Sequence, residues 1–241
     1  MIQIGVRKAL EWTLRPFLRP SLDSFGKVAE VQSTDFTRLV QKLELDRNEE
    51  LELTKTEFSE ILGSLRSKRE LTMPYPIQWG LEVEHAAFLY TLVRLVKPDK
   101  VVESGVANGF SSYVMLSALA RNSAGNLTSV DIRDDVGFLV PASLRDRWQL
   151  VVLNKQGSPE SLREVLRPGK TIDVFLHDSS HTYSNQLREY RLAWRVLRSG
   201  GYLLSDDVDS SFAFLDHVST YRVRPAVLVG EQKVFGLVKK P

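Results

Sequence analysis

The sequence predicts an α/β fold, a doubly wound and mainly parallel seven-stranded sheet with an antiparallel C-terminal strand, preceded by an N-terminal helical cap. Three observations carry this. From residue 101 onward short apolar runs alternate with stretches of helical period, which is how parallel strands joined by crossover helices read. Near the end, residues 222–229 and 233–238 flank the turn Gly230-Glu231-Gln232 and read as a hairpin. The first third shows helical spacing only, among many charges.

Within that first third, Val6, Leu10, Thr13 and Phe17 recur at roughly helical intervals among basic residues, the pattern of a basic amphipathic helix. Packing against the body or a second subunit, as in a homodimer, is one use for such a helix, and binding a membrane surface is the other. Phe36, Leu39, Val40 and Leu43, then Phe58, Ile61, Leu62 and Leu65, extend the helical spacing through residues 36–65. Two prolines and a glycine in residues 73–80 break it, so the boundary is placed there, with a cap over 1–75 and a catalytic domain over 76–241. Trp79 in that break either lines a pocket mouth or is a buried boundary aromatic.

Ala86, Leu89, Tyr90, Val93 and Val96 give the next amphipathic helix, which Lys97-Pro98 ends. Strands follow at 101–103, 127–131, 149–153, 174–176 and 202–204, with helices at 111–119, 185–197 and 212–219. His85 and His217 fall in helical stretches and read as surface or packing residues, and His177 reads as structural.

Composition narrows the function. With 241 residues and 43% hydrophobic content the chain can bury one good core. A formal charge of +2 gives no electrostatic reason to expect a nucleic-acid partner. Zero cysteines removes disulfides, thiolate nucleophiles and cysteine-ligated metals, and fits a cytoplasmic protein. No unbroken apolar stretch is long enough for a signal peptide or a membrane span.

Residues 101–111 organise the rest. A β-branched run ends in Glu103, passes Gly105 and Gly109, and enters a helix at Ser111. Glycines let backbone approach a ligand closely, and a helix N-terminus offers free N–H groups. The spacing is E-x-G-x-x-x-G-x-S, not the G-x-G-x-x-G of a dinucleotide fingerprint. Asp131 closes the next strand, where an acid can accept two hydrogen bonds from ribose hydroxyls. An ordinary strand-turn-helix without ligand is the competing reading. The segment resembles motif I of the Rossmann-like class I S-adenosylmethionine-dependent methyltransferases. That resemblance implies Glu103, Gly105, Gly109 and Ser111 on the methionine part of the cofactor, Asp131 on the ribose, and Gln156, Gly157 and Ser158 beside the adenine.

Two further strands deliver acids to the same sheet edge: Asp178 after 174–176, and Asp206 and Asp207 after 202–204. Clustered carboxylates repel unless a cation joins them. Oxygen ligands without cysteine or a histidine cluster suit Mg²⁺. Helix capping by Asp178 or His181 and a solvated turn at Asp206 and Asp207 are the bland alternatives. The pattern is similar to the metal-dependent catechol-type and macrocin-type O-methyltransferases, whose metal aspartates match Asp178, Asp206 and Asp207. In the catechol-type enzymes a lysine base stands where this chain has His181. The resemblance implies Mg²⁺-dependent O-methylation of a small-molecule hydroxyl on a sugar, polyketide or phenol, with Asp178 at the metal and His181 as base. A nicotinamide-dependent oxidoreductase and a non-catalytic ligand-binding protein on the same scaffold are the rival expectations.

Overall fold

The computed structural model describes residues 14–45, 48–66, 72–154 and 160–241. The eight strands are β1 (Val31–Ser33), β2 (Lys100–Ser104), β3 (Asn126–Asp131), β4 (Trp148–Val152), β5 (Ile172–His177), β6 (Leu197–Ser205), β7 (Ala226–Val229) and β8 (Val234–Lys239). They form one sheet in the order β1-β7-β8-β6-β5-β2-β3-β4, in which β8 alone is antiparallel to its neighbours. Seven of these strands are those expected. The eighth, β1, comes from the segment expected to be helical, and it pairs parallel to β7 at the sheet's edge. Three residues of mixed polarity give no period to read, so β1 left no signal in the sequence.

The helices are α1 (Leu22–Gly26), α2 (Phe36–Lys42), α3 (Asn48–Arg66), α4 (Val83–Val96), α5 (Phe110–Asn122), α6 (Leu162–Val165), α7 (Tyr183–Val196) and α8 (Ala213–Tyr221). The Asp35 side chain accepts hydrogen bonds from the Thr37 and Arg38 N–H groups and so caps α2. Strand alternation sorts the core into two layers. Val101, Val174, Leu176, Tyr202 and Leu204 pack with α2, α3, α4 and α5 on one face. Val102, Phe175, Leu203 and Val227 pack with α6, α7 and α8 on the other.

Helix α4 lies between the sheet and α3, so residues 85–93 are buried without a break. His85 is therefore a packing residue, 0% exposed and against Phe235, the second of the two expected alternatives. His217 is packed, as expected, against Tyr190, Trp194 and Tyr221. Among the described residues no helix is long and apolar enough to cross a membrane. Most of the expected N-terminal basic helix lies outside the described residues.

Candidate functional site

In parallel strands of an open sheet, ligands bind beyond the C-terminal ends where neighbouring crossovers diverge. Here that point lies between β2 and β5. Register pairs Ser104 with His177 and His177 with Ser205, so the three strands end level and hand their next residues to one edge. Gly105 follows β2 at φ +86°, a conformation L side chains rarely adopt, and a Cβ there would sit 2.1 Å from the Asp178 carbonyl oxygen. The bend after β2 and the end of β5 thus close on each other because Gly105 has no side chain.

A cavity of about 570 Å³ opens above this edge. Ser104, Gly105, Val106 and Ala107 form its floor, and Asp131, Asp178, His181, Asp207 and Lys233 stand along one rim. Tyr75, Gln78 and Trp79 form a wall from the 73–80 loop. Trp79 is 57% exposed, so it lines the mouth and is not a buried boundary aromatic. That loop is stapled in place. The Tyr75 N–H donates to Asn108 Oδ1 (3.1 Å), Asn108 Nδ2 donates to the Tyr75 carbonyl (2.8 Å), and the Tyr75 hydroxyl donates to Asp135 (2.7 Å).

Asp131 accepts one backbone N–H on each oxygen, from Val106 at 2.9 Å and Arg133 at 3.0 Å. A carboxylate has about four acceptor positions, so two remain for a diol. Glu103 is elsewhere. It is 0% exposed beneath the glycine bend, where Ser111, Ser112 and Ser129 hydroxyls donate to it at 2.5–2.6 Å. Burial raises its pKa, and the three hydroxyls oppose that rise. Glu103 and Ser111 therefore bond each other and do not line the cavity, and neither does Gly109, which caps α5 at φ +82°. These three fix the shape of the bend instead of reaching into the cleft. Gln156, Gly157 and Ser158 lie outside the described residues.

Asp178, His181, Asp206 and Asp207 converge on one spot. Asp206 is wholly buried and the Asp178 side chain is 7% exposed. His181 Nε2 lies 4.0 Å from Asp178 Oδ1, and His181 Nδ1 lies 3.3 Å from Asp207 Oδ2. Asp207 holds φ +49°, a left-handed conformation that Asp tolerates better than most residues. Lys233 completes the group, donating to Asp206 Oδ2 at 2.8 Å and standing 3.4 Å from Asp207 Oδ2. His85 Nδ1 backs Asp206 Oδ1 at 3.8 Å, beyond hydrogen-bond length.

Electrostatics follow from the packing. Burial, then the neighbouring Asp206 charge, pushes Asp178 well above the usual carboxylate range. The same two causes raise Asp207 to about 6. Burial also acts against Asp206, but the charge and hydrogen bond of Lys233 oppose it and its pKa is held down. Lys233 loses from burial and gains more from the carboxylates, so it stays charged. Burial lowers His181 to about 4, leaving a neutral imidazole.

Sequence reading missed Lys233, although the signal existed. An antiparallel last strand enters the sheet at the edge where the parallel strands leave it, so the residue before β8 had to arrive beside Asp206. The turn that delivers it is clamped by Glu82, whose carboxylate accepts the Glu231 and Gln232 N–H groups at 2.8 and 2.7 Å. A second missed network lies under the site, where Glu189 accepts from Ser104, Ser179 and Asn185 and contacts His177 Nδ1 at 2.8 Å.

Residues 102–208 match a family described as a methyltransferase domain. That match covers 107 of the 241 residues. The likeness to solved structures covers more of the chain. It resembles an O-methyltransferase from Bacillus cereus in complex with SAH, at 14% identity and TM-score 0.52, over 84% of this chain and 96% of that one. It also resembles the O-methyltransferase TomG from Streptomyces achromogenes in complex with SAM, at 16% identity and TM-score 0.52, over 81% and 92%. In sequence the chain is similar to the flavonoid 3',5'-methyltransferase of Vitis vinifera, 24% identical over 154 residues. That match takes in 59% of this chain and spans 63% of the relative's length. At these identities the structural likenesses establish the fold, which is the Rossmann-like class I methyltransferase fold.

Proposed function

We propose that this chain is an S-adenosylmethionine-dependent O-methyltransferase of a small-molecule hydroxyl. The observation that carries the reading is one cavity lined by Asp131, the Gly105 bend, Asp178, His181 and Asp207, with Asp206 buried behind them. A cofactor and an acceptor placed along it would meet above the end of β2.

Asp131 would take the ribose hydroxyls on its two remaining acceptor positions. Gly105 lets the backbone of the bend lie against the methionine part, while Glu103, held by three serine hydroxyls, keeps the bend rigid. Val130, Leu153 and Leu162 line the apolar end, where the adenine ring would rest. The acceptor would enter past Trp79 and Arg188, a planar aromatic and a cation that suit a sugar, polyketide or phenolic hydroxyl bearing a ring. Methyl transfer forms a C–O bond as the C–S bond breaks and releases the hydroxyl proton, and the cavity's part is to align the two reacting atoms.

The acidic cluster fits a divalent cation. Asp178 Oδ1, Asp206 Oδ1 and His181 Nε2 are buried without hydrogen-bond partners, and Asp178, His181 and Asp206 each place a ligand atom within 4.8 Å of the others. A cation held there would supply charge that lowers the pKa of the acceptor hydroxyl. Lys233 balances the outer carboxylate oxygens, and neutral His181 presents a bare nitrogen to the same spot. The cap expected over 1–75 is carried by α2 and α3, which seat on α4, while β1 in the same span joins the edge of the sheet and the 73–80 loop walls the cleft. The absence of cysteine supports a cytoplasmic home.

Calorimetry with S-adenosylhomocysteine tests the reading. The protein is expected to bind it, with affinity at least about tenfold weaker in Asp131→Ala, the loss of two charge-assisted hydrogen bonds. Undetectable binding by the unaltered protein would overturn the proposal.

A further inference from the structure

We propose that His181 is itself a metal ligand through Nε2, together with Asp178 and Asp206, and that the ion is a transition-metal dication of the Mn²⁺ kind and not Mg²⁺. This rests on the methyltransferase reading of the site for its purpose but on this chain's own atoms for its content.

Asp178 Oδ1, Asp206 Oδ1 and His181 Nε2 are buried without hydrogen-bond partners, and the three residues that carry them each bring a ligand atom within 4.8 Å of the others. Orphaned buried polar atoms are costly, and three aimed at one point are most simply relieved by a shared partner. Two ligands at about 2.0–2.2 Å from one ion can stand up to roughly 4.4 Å apart, which accommodates the 4.0 Å between Asp178 Oδ1 and His181 Nε2.

The other nitrogen of His181 supports the assignment. Nδ1 faces Asp207 Oδ2 at 3.3 Å. A metal-bound histidine typically gives its second N–H to a carboxylate, which fixes the tautomer and leaves the first nitrogen's lone pair on the ion. Asp207 then orients His181 and is not a ligand, and Lys233 holds Asp206 Oδ2 and stands 3.4 Å from the same Asp207 Oδ2 that faces His181. Charge agrees as well. Three carboxylates and one ammonium give −3 + 1 = −2, which one divalent ion neutralises.

The expectation of Mg²⁺ rests on oxygen ligands without a histidine among them and on the resemblance to Mg²⁺-dependent enzymes. Replacing one oxygen by an imidazole nitrogen changes the preference, because Mg²⁺ favours an all-oxygen octahedron whereas Mn²⁺, Fe²⁺, Co²⁺ and Zn²⁺ accept nitrogen. It also removes His181 as the base, since its inward nitrogen is committed to the ion and the other to Asp207.

The test uses the full chain stripped of metal and titrated with Mn²⁺, followed by the loss of the free-ion paramagnetic resonance signal. One site per chain is expected. Mg²⁺ should displace Mn²⁺ only at roughly tenfold or greater excess, and electron spin echo spectra of the bound ion should show nitrogen modulation. His181→Ala should abolish that modulation and weaken Mn²⁺ by roughly tenfold or more. Bound Mn²⁺ without nitrogen modulation in the unaltered protein, or displacement by equimolar Mg²⁺, would overturn the inference without needing the variant. S-adenosylhomocysteine calorimetry on the metal-free protein separates the two readings: cofactor binding with no nitrogen signal sinks this inference alone, and a nitrogen signal with no cofactor binding sinks only the methyltransferase.

Discussion

Lys233→Met removes the cation from the acidic cluster while keeping most of the side chain's volume. Its Nζ contacts Asp206 Oδ2 at 2.8 Å, Asp207 Oδ2 at 3.4 Å and the Gly80 carbonyl at 3.2 Å, and the side chain is 15% exposed. Asp206 is fully buried, so the variant leaves a carboxylate whose remaining ion-pair contact among the described residues is His85 at 3.8 Å. Deleting one partner of a buried pair costs about 3–5 kcal/mol; the partly exposed lysine places the expected loss at the low end, about 3 kcal/mol. Urea unfolding at pH 7.5 in chelator measures it. The deficit should shrink below pH 6. Asp178 and Asp207 are already pushed up, Asp207 to about 6, and losing the lysine raises both further, so protonation relieves the strain as pH falls. The variant should also bind a divalent ion more tightly, because the cluster's charge goes from −2 to −3, and saturating Mn²⁺ should restore much of the lost stability. A loss under about 1 kcal/mol, or one unchanged between pH 7.5 and 5, would refute the reasoning.

Other expectations are more local. Gly105→Ala should weaken S-adenosylhomocysteine and destabilise the fold by at least about 1–2 kcal/mol from the left-handed backbone alone, more from the 2.1 Å contact with the Asp178 carbonyl; calorimetry and thermal melts would show it, and an unchanged pair of values would remove the close approach of β2 and β5 ends. His217 is wholly buried against aromatic rings, neither nitrogen has a hydrogen-bond partner, and burial lowers it to about 3. The unfolded imidazole takes a proton below pH 6.5 and the folded one does not, so stability falls as pH drops, by about 2–3 kcal/mol between pH 6.5 and 4.5. His217→Leu should flatten that limb of the stability profile, and an unchanged slope would count against a neutral buried imidazole.

How much was legible differed from residue to residue. The α/β alternation and the antiparallel last strand were readable because strand and helix periods are local. Gly105 was readable because a tight bend requires glycine whatever surrounds it. Ser111 was not: a serine opening a helix can turn outward to a ligand or inward to a neighbour, and the rotation of α5 decides, which is fixed by packing across the sheet. Glu103 followed it inward for the same reason. His85 was open between surface and packing because α4 reads as amphipathic, and the covering of its second face by α3 decides for packing. The convergence of Asp178, Asp206 and Asp207 followed from strand ends, but Lys233 entered from 26 residues beyond Asp207 in the sequence, and only the topology brings it there.

The most direct measurement is a crystal structure of the full chain with S-adenosylhomocysteine and Mn²⁺, with the metal located by its anomalous signal. The account predicts both Asp131 oxygens on the ribose hydroxyls, the methionine part over Gly105, and one ion touching Asp178, His181 and Asp206. A nucleoside seated away from Asp131, or no ion at that cluster under saturating Mn²⁺, would contradict it.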